Sequence, residues 1–259
     1  AFYQADLTRN RNSVNRLTAR IRNALLTHLE PTEVRSSSGT LDAGRIWRGL
    51  YLDDDKVFTK VLKTDPGGLS VDILLDASTS QLDRQETVAS QGYMIAESLT
   101  RCGIPVRVSA FCSLSGYTVL TRYRDYQETD KNDHIFRYFT TGCNRDGLAI
   151  RALGKEMEDS PCEHRMVILL SDAKPHDIKK LVLPNESLDY SQDPGINNTA
   201  AEVRSLMHRD IAVVCVFTGD DEDVPAAHTI YGRNFARIRS LDQFADTVGT
   251  LIQTQIRNL

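Results

Sequence analysis

Short apolar runs alternate with amphipathic stretches over most of the sequence. The runs Ser70–Leu75, Met166–Leu170 and Ile211–Phe217 have the length and composition of strands buried on both faces of a sheet. Helical spacing of apolar residues follows the first run over about Arg84–Arg101 and precedes the third over about Ala200–His208. Because alternating strands and helices cover both faces of a sheet, the pattern predicts an α/β fold with a mostly parallel central sheet.

One pair of predicted strands departs from the parallel order. Val106–Phe111 and Tyr117–Tyr123 are joined by the short turn Ser113-Leu-Ser-Gly116, which predicts a hairpin and one antiparallel strand at the sheet edge. The segment Lys179–Pro194 is a long insertion with no predicted element. The remaining predicted elements are helices near His134–Phe139, Asp146–Met157 and Leu241–Ile256, and a short strand Phe235–Ile238.

Residues 1–67 have a different pattern from the rest of the chain. An amphipathic helix is predicted over about Ser13–Leu29 and a second helix over Leu41–Leu52. The clearest break in the sequence is Asp65-Pro-Gly-Gly. We therefore expect residues 1–67 to form a small helical N-terminal arm that packs on a main domain of residues 68–259. The apolar stripe of the first helix consists of Val14, Leu17, Ile21, Leu25 and Leu29.

Composition narrows the classes of function. The net charge of −4 over 259 residues argues against a nucleic-acid partner. No apolar run approaches the ~18 residues of a membrane span, and the opening residues are polar, so we expect neither membrane insertion nor a signal peptide. The five cysteines form no C-x-x-C pair, which argues against disulfides and zinc and indicates a cytoplasmic protein.

Candidate chemistry begins where the predicted strands end. Asp76, Ser78 and Ser80 follow the first strand, and Asp172 follows the strand Met166–Leu170. Because ligands bind at the carboxyl edge of parallel sheets, these side chains are expected to lie together. Their hard oxygen atoms suit Mg²⁺, with Mn²⁺ or Ca²⁺ as alternatives. The competing interpretation of the first loop is that Asp76 and the serines only cap the next helix.

A third loop favours the metal site over helix capping. Asn144 and Asp146 lie in the loop before a predicted helix, and both offer oxygen atoms. Oxygen donors on three loops are harder to obtain by accident than donors on one. The predicted ligand set is therefore Asp76, Ser78, Ser80, Asn144, Asp146 and Asp172.

These three segments resemble the metal-ion-dependent adhesion site of von Willebrand factor type A (VWA) domains. Further segments are similar to the NorD and CobT branch of that superfamily, which comprises the nitric oxide reductase activation protein NorD and a cobaltochelatase subunit. They are Asn144–Ile150, Leu170–Asp177, Gly195–Thr199, Tyr231–Phe235 and, in the arm, Leu41–Arg45 and Val57–Lys63. The resemblance implies a Rossmann-like VWA fold.

The resemblance also assigns roles within the predicted site. Ser78 and Ser80 would bind the metal through their hydroxyls, and Asp76 and Asp172 directly or through waters. The second-loop ligand of the superfamily is usually a threonine, and its place falls on Asn144. Either Asn144 or Asp146 can supply that ligand. Glycine is common where this chain has Ala173, and we expect the alanine to be tolerated if the backbone there does not need a positive φ.

A cation held mainly by hydroxyls and waters remains electrophilic and favours an anionic oxygen. We therefore expect a metal-dependent adaptor that binds a carboxylate of a partner or client protein. The resemblance implies a MoxR-type AAA+ ATPase partner and a role in activating or metallating a client enzyme, by analogy with NorD a nitric oxide reductase.

The alternative is a Mg²⁺-dependent hydrolase or phosphotransfer enzyme using the same sheet edge. No G-x-x-x-x-G-K-[ST], G-x-G-x-x-G or G-x-S-x-G motif is present. We therefore expect no catalytic residues and no enzymatic activity.

Overall fold

A computed structural model of the chain describes residues 2–28, 32–36, 40–45, 47, 51, 57–62, 68–182, 184–238 and 241–257. The long helix α1 (Phe2–His28) opens the chain and begins well before the predicted start near Ser13. It is followed by a small antiparallel sheet with the order β1-β3-β2. Its strands are β1 (Thr32–Ser36), β2 (Thr40–Leu41) and β3 (Phe58–Leu62).

The predicted helix Leu41–Leu52 is only partly matched. The segment begins with the end of β2 and a 3₁₀ turn at Ala43–Arg45, and Trp47 and Tyr51 are helical. Residues 46, 48–50 and 52, and Leu29 of the predicted stripe, lie outside the described residues. The predicted boundary between an arm and a main domain stays a prediction, because residues 63–67 are not described either.

The central sheet has six strands in the order β11-β10-β7-β4-β5-β6. The strand β6 pairs antiparallel with its neighbour at one edge and the other pairs are parallel, which confirms the predicted fold class. A two-stranded hairpin, β8 (Asp177–Val182) and β9 (Ser187–Tyr190), occupies most of the insertion for which no element is predicted. The six strands are β4 (Leu69–Asp76), β5 (Val106–Leu114), β6 (Tyr117–Arg124), β7 (His164–Ser171), β10 (Ile211–Phe217) and β11 (Phe235–Arg237).

Helices cover both faces of this sheet. One hydrophobic core joins α1, α2 and α6 to one face, and a second core joins α3, α4 and α5 to the other. Strand residues alternate between the cores, so that Ile73 and Leu75 face the first and Leu74 faces the second. The helices are α2 (Gln85–Arg101), α3 (Asp146–Glu156), α4 (Gln192–Met207), α5 (Val224–Tyr231) and α6 (Leu241–Arg257).

The apolar stripe predicted for α1 is buried where it is described. Val14, Leu17 and Ile21 are at most 3% exposed, and Leu25 is half-buried. These residues belong to the same core as the strands, and α1 packs against both α2 and α6. The helix therefore contributes a layer of the α/β sandwich.

Strand register brings three loops to one edge of the sheet. Leu75 of β4 lies opposite Leu170 of β7, and Phe217 of β10 lies opposite Ser171. Because these strands are parallel, the loops that follow them leave the sheet side by side. The loop before α3 joins the same edge through isolated bridges from Cys143 to β5 and from Asn144 to His176.

Candidate metal centre

All six predicted ligand residues lie together at this carboxyl edge. Asp76, Ser78, Asn144, Asp146 and Asp172 are buried, with at most 3% of each residue exposed. Ser80 is exposed. The cluster therefore reaches solvent on the side of Ser80.

The first loop links its hydroxyls to the carboxylates. The Ser78 backbone N–H donates to Asp76 Oδ1 at 2.9 Å, which turns the chain directly after β4. The Ser78 and Ser80 hydroxyl oxygens are 2.9 Å apart, and Ser80 Oγ donates to Asp172 Oδ2 at 2.6 Å. The Ser78 side chain does not cap the 3₁₀ helix that follows, so in this loop the capping interpretation is wrong for Ser78.

In the second loop Asn144 and Asp146 have different environments. Asn144 Oδ1 accepts a hydrogen bond from the His176 backbone N–H at 3.2 Å. Its amide nitrogen donates to Asp76 Oδ2 at 3.3 Å and to Asp146 Oδ2 at 3.2 Å. Because a backbone N–H can only donate, the contact with His176 fixes which amide atom is the oxygen. Asp146 Oδ1 is buried and has no hydrogen-bond partner among the described residues.

The third loop contributes one residue that the sequence reasoning missed. Ser171, the last residue of β7, has its hydroxyl 3.5 Å from Asp76 Oδ2, and this hydroxyl accepts a hydrogen bond from the Ala173 N–H at 3.1 Å. Asp172 Oδ1 accepts from the Lys174 N–H at 3.1 Å. Its position directly before Asp172, at the end of a strand, could have indicated Ser171 from the sequence.

Backbone contacts hold the first two loops against each other. Thr79 donates through its N–H and its hydroxyl to the Gly142 carbonyl, at 3.0 and 2.8 Å, and the Thr141 N–H donates to the Ala77 carbonyl at 2.7 Å. The Tyr138 hydroxyl donates to the Asp76 carbonyl. No local sequence pattern indicates Tyr138, because this contact joins residues 62 positions apart.

Burial raises the pKa of all three carboxyl groups above their ordinary value of 3.8. For Asp76, burial and then the charge of Asp172 raise the pKa to about 7. Burial and the charges of Asp76 and Asp172 raise the pKa of Asp146 well above that ordinary value. Burial also raises the pKa of Asp172, although hydrogen bonds from Ser80 and from the Lys174 backbone act in the opposite direction.

The donor set fits a divalent cation. No Lys, Arg or His side chain of the described residues forms an ion pair with Asp76, Asp146 or Asp172. Buried carboxylates without such a partner are stabilised by a bound cation. Within the same residues, no three Asp, Glu, His or Cys side chains are close enough to hold a metal by themselves. A cation bound at this edge would therefore need the serine hydroxyls as ligands as well.

The acidic turn after β10 does not enter this cluster. Asp220 pairs with Arg84 at 2.5 Å, Asp223 pairs with Lys174 at 2.8 Å, and Asp221 pairs with Arg237. These pairs join the turn to the segments that follow β4 and β7 and to strand β11. The turn therefore borders the site without supplying a carboxylate to it.

Comparison with known proteins identifies the fold. No protein-family profile matches the chain. The uncharacterized protein YojO of Bacillus subtilis (strain 168) is 22% identical over 195 residues, which is 70% of this chain and 29% of YojO. The chain thus spans less than a third of the length of this relative.

Solved structures with the same fold include domains of pilus proteins. The vWF domain of the type V pili tip protein Mfa5 from Porphyromonas gingivalis matches with a TM-score of 0.55 and 11% identity, over 74% of this chain and 96% of that one. The pilus adhesin SpaC from Lactobacillus rhamnosus GG matches with a TM-score of 0.53 and 14% identity, over 75% of this chain and 31% of SpaC. At such identities the likeness shows the fold alone.

Proposed function

Starting from a VWA fold with an acidic, hydroxyl-bearing cluster at its carboxyl edge, we propose that this chain is a protein-binding module that works through a divalent cation. One observation carries the proposal: three buried carboxylates lie beside two serine hydroxyls and form no ion pair with a cationic side chain of the described residues. Such a cluster is stabilised by a cation and has an exposed residue, Ser80, on its solvent side.

The residues of the cluster have different proposed roles in binding the cation. The hydroxyls of Ser78 and Ser80 would bind it directly, and the carboxylates of Asp76 and Asp172 would bind it directly or through waters. For the second loop we propose Asp146 as the ligand, because its Oδ1 has no partner among the described residues whereas the Asn144 oxygen accepts from His176. Asn144 instead donates to two carboxylates and fixes their orientation.

When bound, the cation would offer an open coordination position to an anionic oxygen, which an Asp or Glu of a partner protein can fill. Oxygen-only ligands and few direct carboxylates favour Mg²⁺, with Mn²⁺ or Ca²⁺ as alternatives. The first step of function is therefore a metal-dependent contact with a partner carboxylate.

The identity of the partner rests on the sequence resemblance. We propose a MoxR-type AAA+ ATPase as the partner and a client enzyme that is activated or metallated, by analogy with NorD a nitric oxide reductase. A cytoplasmic location belongs to the same proposal. Among the described helices, none is both long and apolar enough to cross a membrane.

Thermal unfolding with saturating Mg²⁺ or with EDTA tests the metal site. A cation at about 100 times its Kd adds about 2.7 kcal/mol, which raises the Tm of a domain of this size by about 5–10 °C. Asp76→Asn should abolish this rise, because it removes a ligand charge while keeping the shape of the side chain. The control is Asp133→Asn, an exposed residue outside the site that should keep the full response.

Two results would count against the proposal. If Mg²⁺, Mn²⁺ and Ca²⁺ all left the Tm of the parent unchanged, the cluster would not be a metal site. If the parent hydrolysed a simple phosphate ester in Mg²⁺ and Asp76→Asn did not, the hydrolase alternative would replace the binding module.

A further inference from the structure

A groove with a volume of 870 Å³ lies directly beside the candidate metal centre. Its walls are the loop after β7, the first turn of α4 and the beginning of α5. Ala173, which lines the groove, is the residue next to Asp172 of the metal centre. A partner segment whose carboxylate reaches the cation can therefore extend over this groove.

The groove offers an apolar surface to a long side chain. Of the residues that line it, Ala173 and Pro175 are buried, and Ile196 and Ala226 are half-buried. A surface of this kind packs well against methylene groups, because their burial removes apolar area from water without stranding a polar atom. Lysine and arginine both carry such a methylene stem.

The charged groups of the groove favour a cation at the end of that stem. Asp193 and Glu222 are exposed and form no ion pair with the described residues. The positive charge of Lys174 is already matched by Asp223 at 2.8 Å. His176 and the N-terminal turn of α4 also border the groove, and Asp193 lies within that turn, where its charge offsets the helix dipole. The surplus charge of the groove is therefore negative.

Building on the proposed function, we propose that the groove binds a lysine or arginine of the same partner segment that supplies the carboxylate to the cation. The two contacts lie on adjacent parts of one sheet edge. Since successive residues of an extended chain lie at regular intervals, the acidic and basic residues of the partner should be separated by a constant number of positions. The recognised feature is thus a pair of opposite charges at fixed spacing.

Selection from a library of random peptides displayed on phage tests this specificity. The full chain is the target, binding takes place in Mg²⁺, and bound phage are eluted with EDTA. We expect the enriched peptides to share an Asp or Glu and, at constant spacing, a Lys or Arg. With Asp193→Asn/Glu222→Gln as the target, the acidic residue should remain enriched and the basic residue should not.

A matched control separates the groove from a general loss of negative charge. Asp159→Asn/Glu163→Gln removes the same two charges from exposed residues that precede β7, at the opposite edge of the sheet. This control should enrich the same peptides as the parent. In a synthetic peptide of enriched sequence, replacing the basic residue with Gln should weaken binding to the parent by about three- to tenfold and leave binding to the groove variant unchanged.

The outcomes distinguish the groove from the metal site. Enrichment of an acidic residue without a basic one, or with a second acidic one in its place, would overturn the groove assignment and leave the proposed function standing. Enrichment of a basic residue that survives Asp193→Asn/Glu222→Gln would also overturn it. If no peptide depended on Mg²⁺ for binding, the proposed function would fail and this inference would fail with it.

Discussion

At Ala173 the backbone has a φ of 57°, in the left-handed region. A residue with a Cβ atom is disfavoured there by about 1–2 kcal/mol relative to glycine. From the sequence we expected Ala173 to be tolerated if the backbone there did not need a positive φ, and this condition is not met. The backbone is therefore strained at this residue, between Asp172 and the groove. Strain of this kind occurs at binding sites whose surroundings fix the backbone, here through the hydrogen bond from the Ala173 N–H to Ser171.

Ala173→Gly should raise the Tm by a few degrees, because relief of the left-handed strain exceeds the entropy that glycine adds to the unfolded chain. Ala200→Gly is the control, since Ala200 is buried inside helix α4 and glycine there should lower the Tm. Differential scanning calorimetry of the metal-free proteins measures both shifts. A lower Tm for Ala173→Gly would show that its methyl group matters more for packing than the strain does.

The response to Mg²⁺ should grow with pH. In the metal-free protein, burial and then the charge of Asp172 raise the pKa of Asp76 to about 7, so the folded state binds this proton more tightly than the unfolded state does. Protonation of Asp76 therefore stabilises the folded state of the metal-free protein, by on the order of a few kcal/mol. This stabilisation is complete below pH 3.8 and is lost as the pH rises towards 7. A cation replaces the proton, because metal binding requires the carboxylate.

The difference in Tm between Mg²⁺ and EDTA should therefore be larger at pH 8 than at pH 5.5. Titration calorimetry at pH 7 in buffers of different ionisation enthalpy should also detect proton release on Mg²⁺ binding. A response that is independent of pH would mean that the carboxylate of Asp76 is already ionised in the metal-free protein.

At this scale the sequence was sufficient to predict which residues lie together at the carboxyl edge. Asp76 and Asp172 follow apolar runs that had to be strands, so their meeting at one edge could be deduced from the rules for parallel sheets. The distinct environments of Asn144 and Asp146 could not be deduced, because they depend on the backbone of His176, which is 32 positions away from Asn144.

At the scale of elements, the site depends on how closely the loop before α3 packs against β5. Gly142 has a φ of 67°, and a Cβ atom there would lie 2.4 Å from the Ser113 carbonyl oxygen. This loop carries Asn144 and Asp146, and its Gly142 carbonyl accepts both hydrogen bonds from Thr79. A shift of this loop would therefore separate two parts of the ligand set.

Gly142→Ala should destabilise the protein by about 2–4 kcal/mol and abolish the response to Mg²⁺, since the clash with backbone cannot relax through a side chain. Gly103→Ala is the matched control, because Gly103 also has a positive φ, of 76°, but no atom lies within 4 Å of the added Cβ. It should cost only about 1 kcal/mol and keep the response to Mg²⁺. Urea denaturation measures both costs, and equal costs would contradict the clash.

Elements with a clear periodicity of apolar residues were predictable from the sequence, and short elements were not. The strand Ile211–Phe217 was predicted with its observed bounds. Helix α5 was missed because its eight residues are too few to show a helical period. Helix α4 begins at Gln192 rather than near Ala200, because its first turns contain Pro194 and Gly195, residues that read as a loop although proline is accepted in a first turn.

At the scale of the whole molecule, α1 is a structural layer of the sandwich. Its residues Leu17 and Ile21 are fully buried in the core that also contains β4 and α6. Arg20 pairs with Asp246 of α6 at 3.0 Å, and both side chains are partly exposed, so this pair contributes little compared with the apolar contacts. The sequence predicted the apolar stripe of α1, but the helical spacing of apolar residues cannot show which surface of the protein the stripe packs against.

Leu17→Ala should therefore destabilise the whole protein by about 2–5 kcal/mol, as expected for a cavity in a core. Leu26→Ala, at a residue of the same helix that is 58% exposed, should change the free energy of unfolding by less than about 0.5 kcal/mol. Urea denaturation followed by fluorescence and by circular dichroism should give coincident transitions for both variants. Separate transitions would show that α1 unfolds independently of the sheet.

The packing of α1 against α6 has a consequence for the synthesis of the protein on the ribosome. The contact between Arg20 and Asp246 spans 226 positions in the chain. At about 5–20 residues per second, a ribosome needs about 10–45 s to synthesise that interval. Throughout this time the apolar stripe of α1 lacks one of its two helical neighbours. We therefore expect nascent chains, rather than finished molecules, to be the form of this protein most prone to aggregation and most dependent on chaperones.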